Sequence, residues 1–410
     1  MRESSQHLLQ GDTTSAAIEI QPRGQRNLAI DAYRGLVMLL MMGEVLHFGE
    51  VHRALPNSLL WRILAFNQTH VEWAGMSLHD LIQPSFTFLV GVSLPYSLQS
   101  RLRRGESFAR MFGHTIWRSL LLVVLGILLR SLHSSQTNFT FEDTLTQIGL
   151  GYTFAFLLGF IRPGRQWAVL ATLLTTYWLA WALYPLPGPQ FDYASVGVPQ
   201  GWSHNFTGFA AHWNKNTNLG QAFDLWFLNL FPRSSRFLYN GGGYLTLSFI
   251  PTLGTMLLGQ FAGQWIRRSA PEIPFRRLLT VGISLMATGA LLHLCGICPI
   301  VKRIWTPSWT LFSGGICFLV LALFSWCIDV KKRHQFAFPL VVVGMNSIAA
   351  YLMAHLWEEF LIRNLYTNVG HRPFLLFGPP FEPLLMGIVV LSIYWYTLYW
   401  MYKHQVFLKI

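Results

Sequence analysis

Charge is what this chain has least of. Asp, Glu, Lys and Arg make up 12% of its 410 residues, about half the share of a soluble domain. Apolar residues make up 52%. A water-soluble core of this size cannot hide that much apolar surface, so lipid must solvate part of it. Acidic residues are the scarcer sign, with 18 Asp and Glu against 30 Lys and Arg and a net charge of +12. Nucleic acid is not the implied partner, because the basic residues sit in short clusters between apolar runs, as the positive-inside pattern requires. Cysteine is sparse: Cys295, Cys298, Cys317 and Cys327. They include one CxxC pair, with no second pair and no His cluster at zinc spacing, so packing is their expected role and no metal site is expected. There is no Walker A loop, since Gly241, Gly242 and Gly243 lack the following Lys-Ser/Thr. No fixed-period repeat appears. The first 27 residues lack a small-residue cleavage site after an apolar core, so they read as a polar cytosolic tail.

What the chain does have is apolar runs of spanning length. They lie at about 30–49, 77–98, 114–133, 144–161, 166–185, 243–266, 278–298, 308–328, 338–357 and 383–402. The expected fold is all-α: a polytopic transmembrane helix bundle of about ten spans, with residues 28–410 forming a single transmembrane domain. Basic clusters follow the even-numbered spans: Arg101, Arg103 and Arg104; Arg162 and Arg165; Arg267, Arg268, Arg276 and Arg277; Lys331, Lys332 and Arg333; and Lys403. That alternation puts both termini in the cytosol. Segments 50–76, 186–242 and 358–382 then face outward. Within the long outer loop, 219–231 has an apolar face suited to lying along the interface.

Ionisable groups inside apolar spans are expensive and therefore functional candidates. Glu44 and His47 are two, late in the first span, with a paired arrangement near the interface as the alternative. A denser group surrounds the second span's start: His70, Glu72 and Asp80, with Trp73 and Gly75 between. A neutral imidazole takes a proton from an amine or hydroxyl near pH 7, and a carboxylate beside it orients the ring. Glu72 reads equally as an exposed loop carboxylate, and Asp80 as a cap or pairing group at the helix start.

The segments 26–41 and 69–93 resemble the heparan-α-glucosaminide N-acetyltransferase family. The matching residues are Arg26, Asp31, Arg34 and Gly35, then His70, Trp73, Gly75, Asp80, Leu81, Pro84, Phe86, Phe88 and Gly91. The stretch 344–351, which contains Asn346, and the terminal VFLKI (406–410) also look like that family's ending. The resemblance implies transfer of an acetyl group from cytosolic acetyl-CoA, as co-substrate, to an amino sugar on the far side. The family's catalytic histidine matches His70, acting as general base or as an acetyl-accepting nucleophile. Glu72 and Asp80 are its expected helpers. Acceptor binding is assigned to Glu44, His47, Trp73, Asn240, Gly241 and Asn346. Arg34, Arg101 and Arg118 are assigned to the coenzyme A phosphates.

Two departures stand out. Gly43, Glu44 and Val45 occupy the place of an Asn found in animal members, and Asn240-Gly241-Gly242-Gly243 replaces D-P-E-G. With the chain's length, these suggest a bacterial-type member lacking the luminal domain. It is expected in the bacterial inner membrane, acting on an envelope sugar. The expected partners are acetyl-CoA, an amino sugar or glycan acceptor and the bilayer, with a homodimer admitted. The competing reading is a transporter of an amino sugar or related solute.

Overall fold

The computed structural model describes residues 27–270 and 272–408. Arg26, the rest of the polar tail up to it, Lys409 and Ile410 lie outside the described residues. The described residues form fifteen α-helices and no named strand. In chain order these are α1 (Leu28–Met42), α2 (Phe48–Ala54), α3 (Leu59–Asn67), α4 (Ile82–Arg103) and α5 (Phe108–Ser131). Then come α6 (Thr144–Leu158), α7 (Pro163–Ala182), α8 (Leu219–Phe227), α9 (Phe249–Ser269) and α10 (Phe275–Leu294). The last five are α11 (Pro307–Ser325), α12 (His334–Met345), α13 (Ser347–Leu356), α14 (Glu358–Val369) and α15 (Glu382–Lys403).

A helix lies on each of the ten apolar runs, but the runs differ in kind. Among the described residues, five helices are long and apolar enough to cross a membrane: α4, α5, α10, α11 and α15, each with any flanking turn. The count reaches six if α12 and α13, which meet at a 68° bend, form one span. The first run does not stay helical to its end. A 3-10 turn (Gly43–Leu46) follows α1, and His47 then takes a left-handed backbone at φ 47°.

α9 is the centre of the bundle, with every residue from Pro251 to Ile266 buried. A helix buried on all sides does not need to be uniformly apolar, because its neighbours can satisfy polar side chains. Gln260 donates to the Ala155 carbonyl at 2.6 Å, Gln264 donates to Gln166 Oε1 at 3.1 Å, and Thr255 Oγ1 accepts from the Trp305 indole at 3.2 Å. The outer helices show the opposite pattern. Trp117, Leu120, Val124 and Leu128 on α5 and Tyr396 and Trp400 on α15 are exposed, which suits a lipid-facing surface.

α4 and α9 touch backbone to backbone. A side chain on Gly91 would meet the Met256 carbonyl, and side chains on Gly259 and Gly263 would meet the Phe88 and Val92 carbonyls. Small residues four apart are how membrane helices approach this closely. Gly35 and Gly344 do the same for α1 and α12.

Candidate active site

The segment between α3 and α4 is pinned on several sides. Gln68 donates to the Gly43 carbonyl and accepts from Phe48 N at 2.8 Å. The fully buried Trp73 donates its indole N–H to the Trp213 carbonyl of the long loop at 3.1 Å. Gly75, at φ 111°, takes a conformation an L-residue resists. Its N–H donates to Ile300, and Ala74 bridges Val301 in the α10–α11 connection. The recurring residues of the sequence pattern thus have separate jobs: Trp73 anchors and Gly75 turns the chain.

His70 and Asp80 form the chemical centre. His70 Nδ1 lies 2.7 Å from Asp80 Oδ1. Asp80 is 1% exposed, and its other oxygen accepts from Ser77 N and Oγ, each at 3.0 Å, and from Val71 N at 3.3 Å. A carboxylate held this way accepts from Nδ1–H and leaves Nε2 as the basic nitrogen. Burial, the largest influence, pushes the His70 pKa down; the Asp80 hydrogen bond opposes it, and the Lys302 cation adds to it. The imidazole is therefore neutral, and basic, at neutral pH.

Around this pair the structure gathers groups from distant parts of the chain. The His79 ring sits 4.4 Å from the His70 ring, and His79 Nε2 is 3.3 Å from Glu44. His47 pairs instead with Glu358 at 3.5 Å. Glu72 turns away from His70 toward the long loop, where it meets His204 at 3.2 Å and the Trp202 indole at 3.3 Å. Asn240 accepts from the N–H groups of Gly242 and Tyr244 and so shapes the glycine turn, in which Gly241 has open space beside it. The Gly242 carbonyl in turn accepts from Arg303 at 2.8 Å. Asn346 is not with this group. It sits at the α12–α13 bend, bonded to the Val406 carbonyl and Leu408 N. Sequence reasoning missed Lys302, whose Nζ lies 3.4 Å from His70 Nε2.

The arginines assigned to coenzyme A converge on one cavity of about 510 Å³. Arg34, Arg101 and Arg118 all line it, with His114, Ser93, Tyr152 and Tyr351. Arg34 bonds Asp31 at 3.0 Å and Ser93 at 2.8 Å. Arg118 donates to Tyr152 at 3.1 Å and stacks over its ring, while its buried Nε has no partner among the described residues. An orphaned buried guanidinium N–H is a place for an anionic oxygen. The lining residues on α4 run from Arg101 to Phe86, about 22 Å of helix. Asp80 lies about 9 Å further along the same axis. On the far wall, Tyr351 donates to Asp143, which caps α6 and pairs with Arg130 of α5 at 3.1 Å.

Fold and site together define an apolar helical bundle with a histidine–carboxylate pair near one end of α4 and an arginine-lined cavity along most of the rest of it. No protein-family model matches the chain. It is 24% identical to the human heparan-alpha-glucosaminide N-acetyltransferase over 98% of its own length. It is also 24% identical to the mouse protein of that name, over 96%. The chain spans 62% of the length of each of these curated relatives. The chain is thus similar to heparan-alpha-glucosaminide N-acetyltransferases along nearly its whole length, and this similarity and the apolar helices support a multi-pass membrane protein.

Proposed function

We propose that this protein is a transmembrane acetyltransferase that takes acetyl from acetyl-CoA at the α4–α5 end and delivers it to an amino sugar at the His70 end. The observation that carries the reading is the cavity. It is lined by three arginines, Arg101 at the far end of α4, Arg34 beside Ser93 and Arg118 beside Tyr152, and follows α4 toward the His70–Asp80 pair. Arg34, Arg101 and Arg118 would hold the phosphates, and the slot along α4 would hold the extended arm that carries the thioester. The basic clusters support a cytosolic location for the arginine end, cytosolic termini, ten crossings and an outward-facing His70. A bacterial cytoplasmic membrane is the setting this topology suits.

In the reaction, the acceptor amine attacks the thioester carbonyl carbon and the carbonyl π pair moves to oxygen. His70 Nε2 takes the amine proton. Collapse restores the carbonyl, breaks the carbon–sulfur bond, and the proton passes to the departing thiolate. The Asp80 hydrogen bond holds the ring and stabilises the imidazolium formed on the way. Glu44, His47, Trp73, Asn240 and Gly241 surround or support the space where the sugar would sit.

The test is acetyl-CoA binding to the purified protein, followed by CoA release with glucosamine-type acceptors. Binding with turnover is expected. Labelled sugar crossing liposomes, with no turnover on any acceptor, would instead favour the transport reading. The arginine assignment has its own check. A charge-assisted hydrogen bond contributes about 1.5–3 kcal/mol, so Arg118→Gln should raise the acetyl-CoA Kd about tenfold or more. Calorimetry that finds the same Kd as the parent removes Arg118 from the phosphate site.

A further inference from the structure

Lys302 is buried at 5% exposure, forms no ion pair among the described residues, and has its Nζ 3.4 Å from His70 Nε2. It also lies over the Tyr244 ring at 5.3 Å. Buried ammonium groups are normally paired, because an unpaired one is costly to desolvate. This one is instead aimed at the nitrogen that must take the proton. The short connection from α10 to α11 holds it there. Ile300 and Val301 are tied to Gly75 and Ala74, Thr306 bonds Val301, and the neighbouring Arg303 is occupied by the Val71 and Gly242 carbonyls. Of the two adjacent cations, Arg303 ties loops together and Lys302 faces the site.

We propose that Lys302 is a catalytic residue whose ammonium receives the negative charge that develops on the acyl carbonyl oxygen beside His70 Nε2. The proposal rests on the reading of His70 as the base. With three donors on a flexible stem, the ammonium can leave the imidazole lone pair for the oxyanion as the amine presents its proton to Nε2. A cation preorganised in a water-poor site is worth more there than in solvent. No proton leaves Lys302 in this step. It stabilises the addition and is released when the carbonyl re-forms.

The charged and titratable groups around the pair are Asp80 and His79 at the start of α4, Glu44 after α1, Arg130 at the end of α5, Tyr244 and Arg303. Burial, opposed by Asp80 and aided by Arg303 and Arg130, pushes the Lys302 ammonium down to about 8. It is therefore charged at neutral pH and loses its charge above about pH 8. Two limbs follow in the pH profile of transfer. Activity falls on the acid side as His70 gains a proton, and on the alkaline side as Lys302 loses one.

The experiment measures CoA release against pH for the full chain and for Lys302→Met, Lys302→Arg and His70→Ala. Lys302→Met should lower kcat about 100-fold, keep the acetyl-CoA Kd within about twofold, and move the acid limb to higher pH because a cation beside His70 is gone. Lys302→Arg keeps the charge at all working pH values, so its alkaline limb near pH 8 should disappear even if its rate is reduced. Parent-like kcat in Lys302→Met, with His70→Ala inactive, overturns the proposal alone. So does an alkaline limb that persists in Lys302→Arg. Parent-like transfer by His70→Ala overturns the base assignment and this proposal with it.

Discussion

His70→Ala should lose transfer by a factor of about 10²–10⁴, the range general-base catalysis contributes, while acetyl-CoA binding stays within about twofold of the parent. The separation follows from the geometry. His70 sits in the loop before α4, and of the arginines that would hold the phosphates Arg101 lies near the other end of that helix and Arg34 bonds Ser93 midway along it. Removing the imidazole deletes the proton acceptor without touching the cavity wall. Asp80→Asn is the companion variant. The amide cannot serve as a charged acceptor for Nδ1–H, so the ring loses both its tautomer and the charge that stabilises the imidazolium. A loss close to that of His70→Ala is expected, with little gain from adding both changes, since the two act as one unit. Additive losses would mean that Asp80 works independently of His70.

The second large effect is on assembly. Gly91→Leu and Gly259→Leu each place a side chain against a carbonyl of the facing helix, Met256 in one case and Phe88 in the other. Neither carbonyl can yield without moving α4 away from α9, and α9 is the helix the others surround. Each variant should fail to give a monodisperse peak in detergent size-exclusion chromatography. Gly113→Leu, where a new side chain meets nothing, should elute and melt as the parent does. Parent-like melting of Gly259→Leu would show that the α4–α9 contact is not what holds the bundle centre together.

Much of this arrangement is legible in the sequence. Hydropathy finds a helix for every apolar run, because lipid and core both demand long apolar segments. The His70-to-Gly91 pattern is legible because its residues do different jobs at fixed spacing: an imidazole, an indole anchor, a left-handed turn, an orienting carboxylate and a glycine contact. What the sequence hides is set by partners far along the chain. The run 338–357 reads as one span, yet it bends at Asn346, whose side chain is held by Val406 and Leu408. Glu72 lies two residues from His70 but is drawn off by Trp202 and His204. Lys302 left a trace that could have been used. It and Arg303 form a basic pair on a connection after an odd-numbered span, where the positive-inside pattern calls for no anchor. Cations that topology does not need have another reason to be there.

The close contact between α4 and α9 also bears on which donor would suit the proposed reaction. α4 carries cavity wall from Arg101 to Phe86 and has Asp80 just before its first turn, and its backbone is clamped by glycines against α9, the buried centre of the described bundle. In the proposed reaction the helix is a measuring rod. It fixes how far the acyl carbon must stand from the phosphates, so the donor is sorted by reach before its acyl group is sorted by shape.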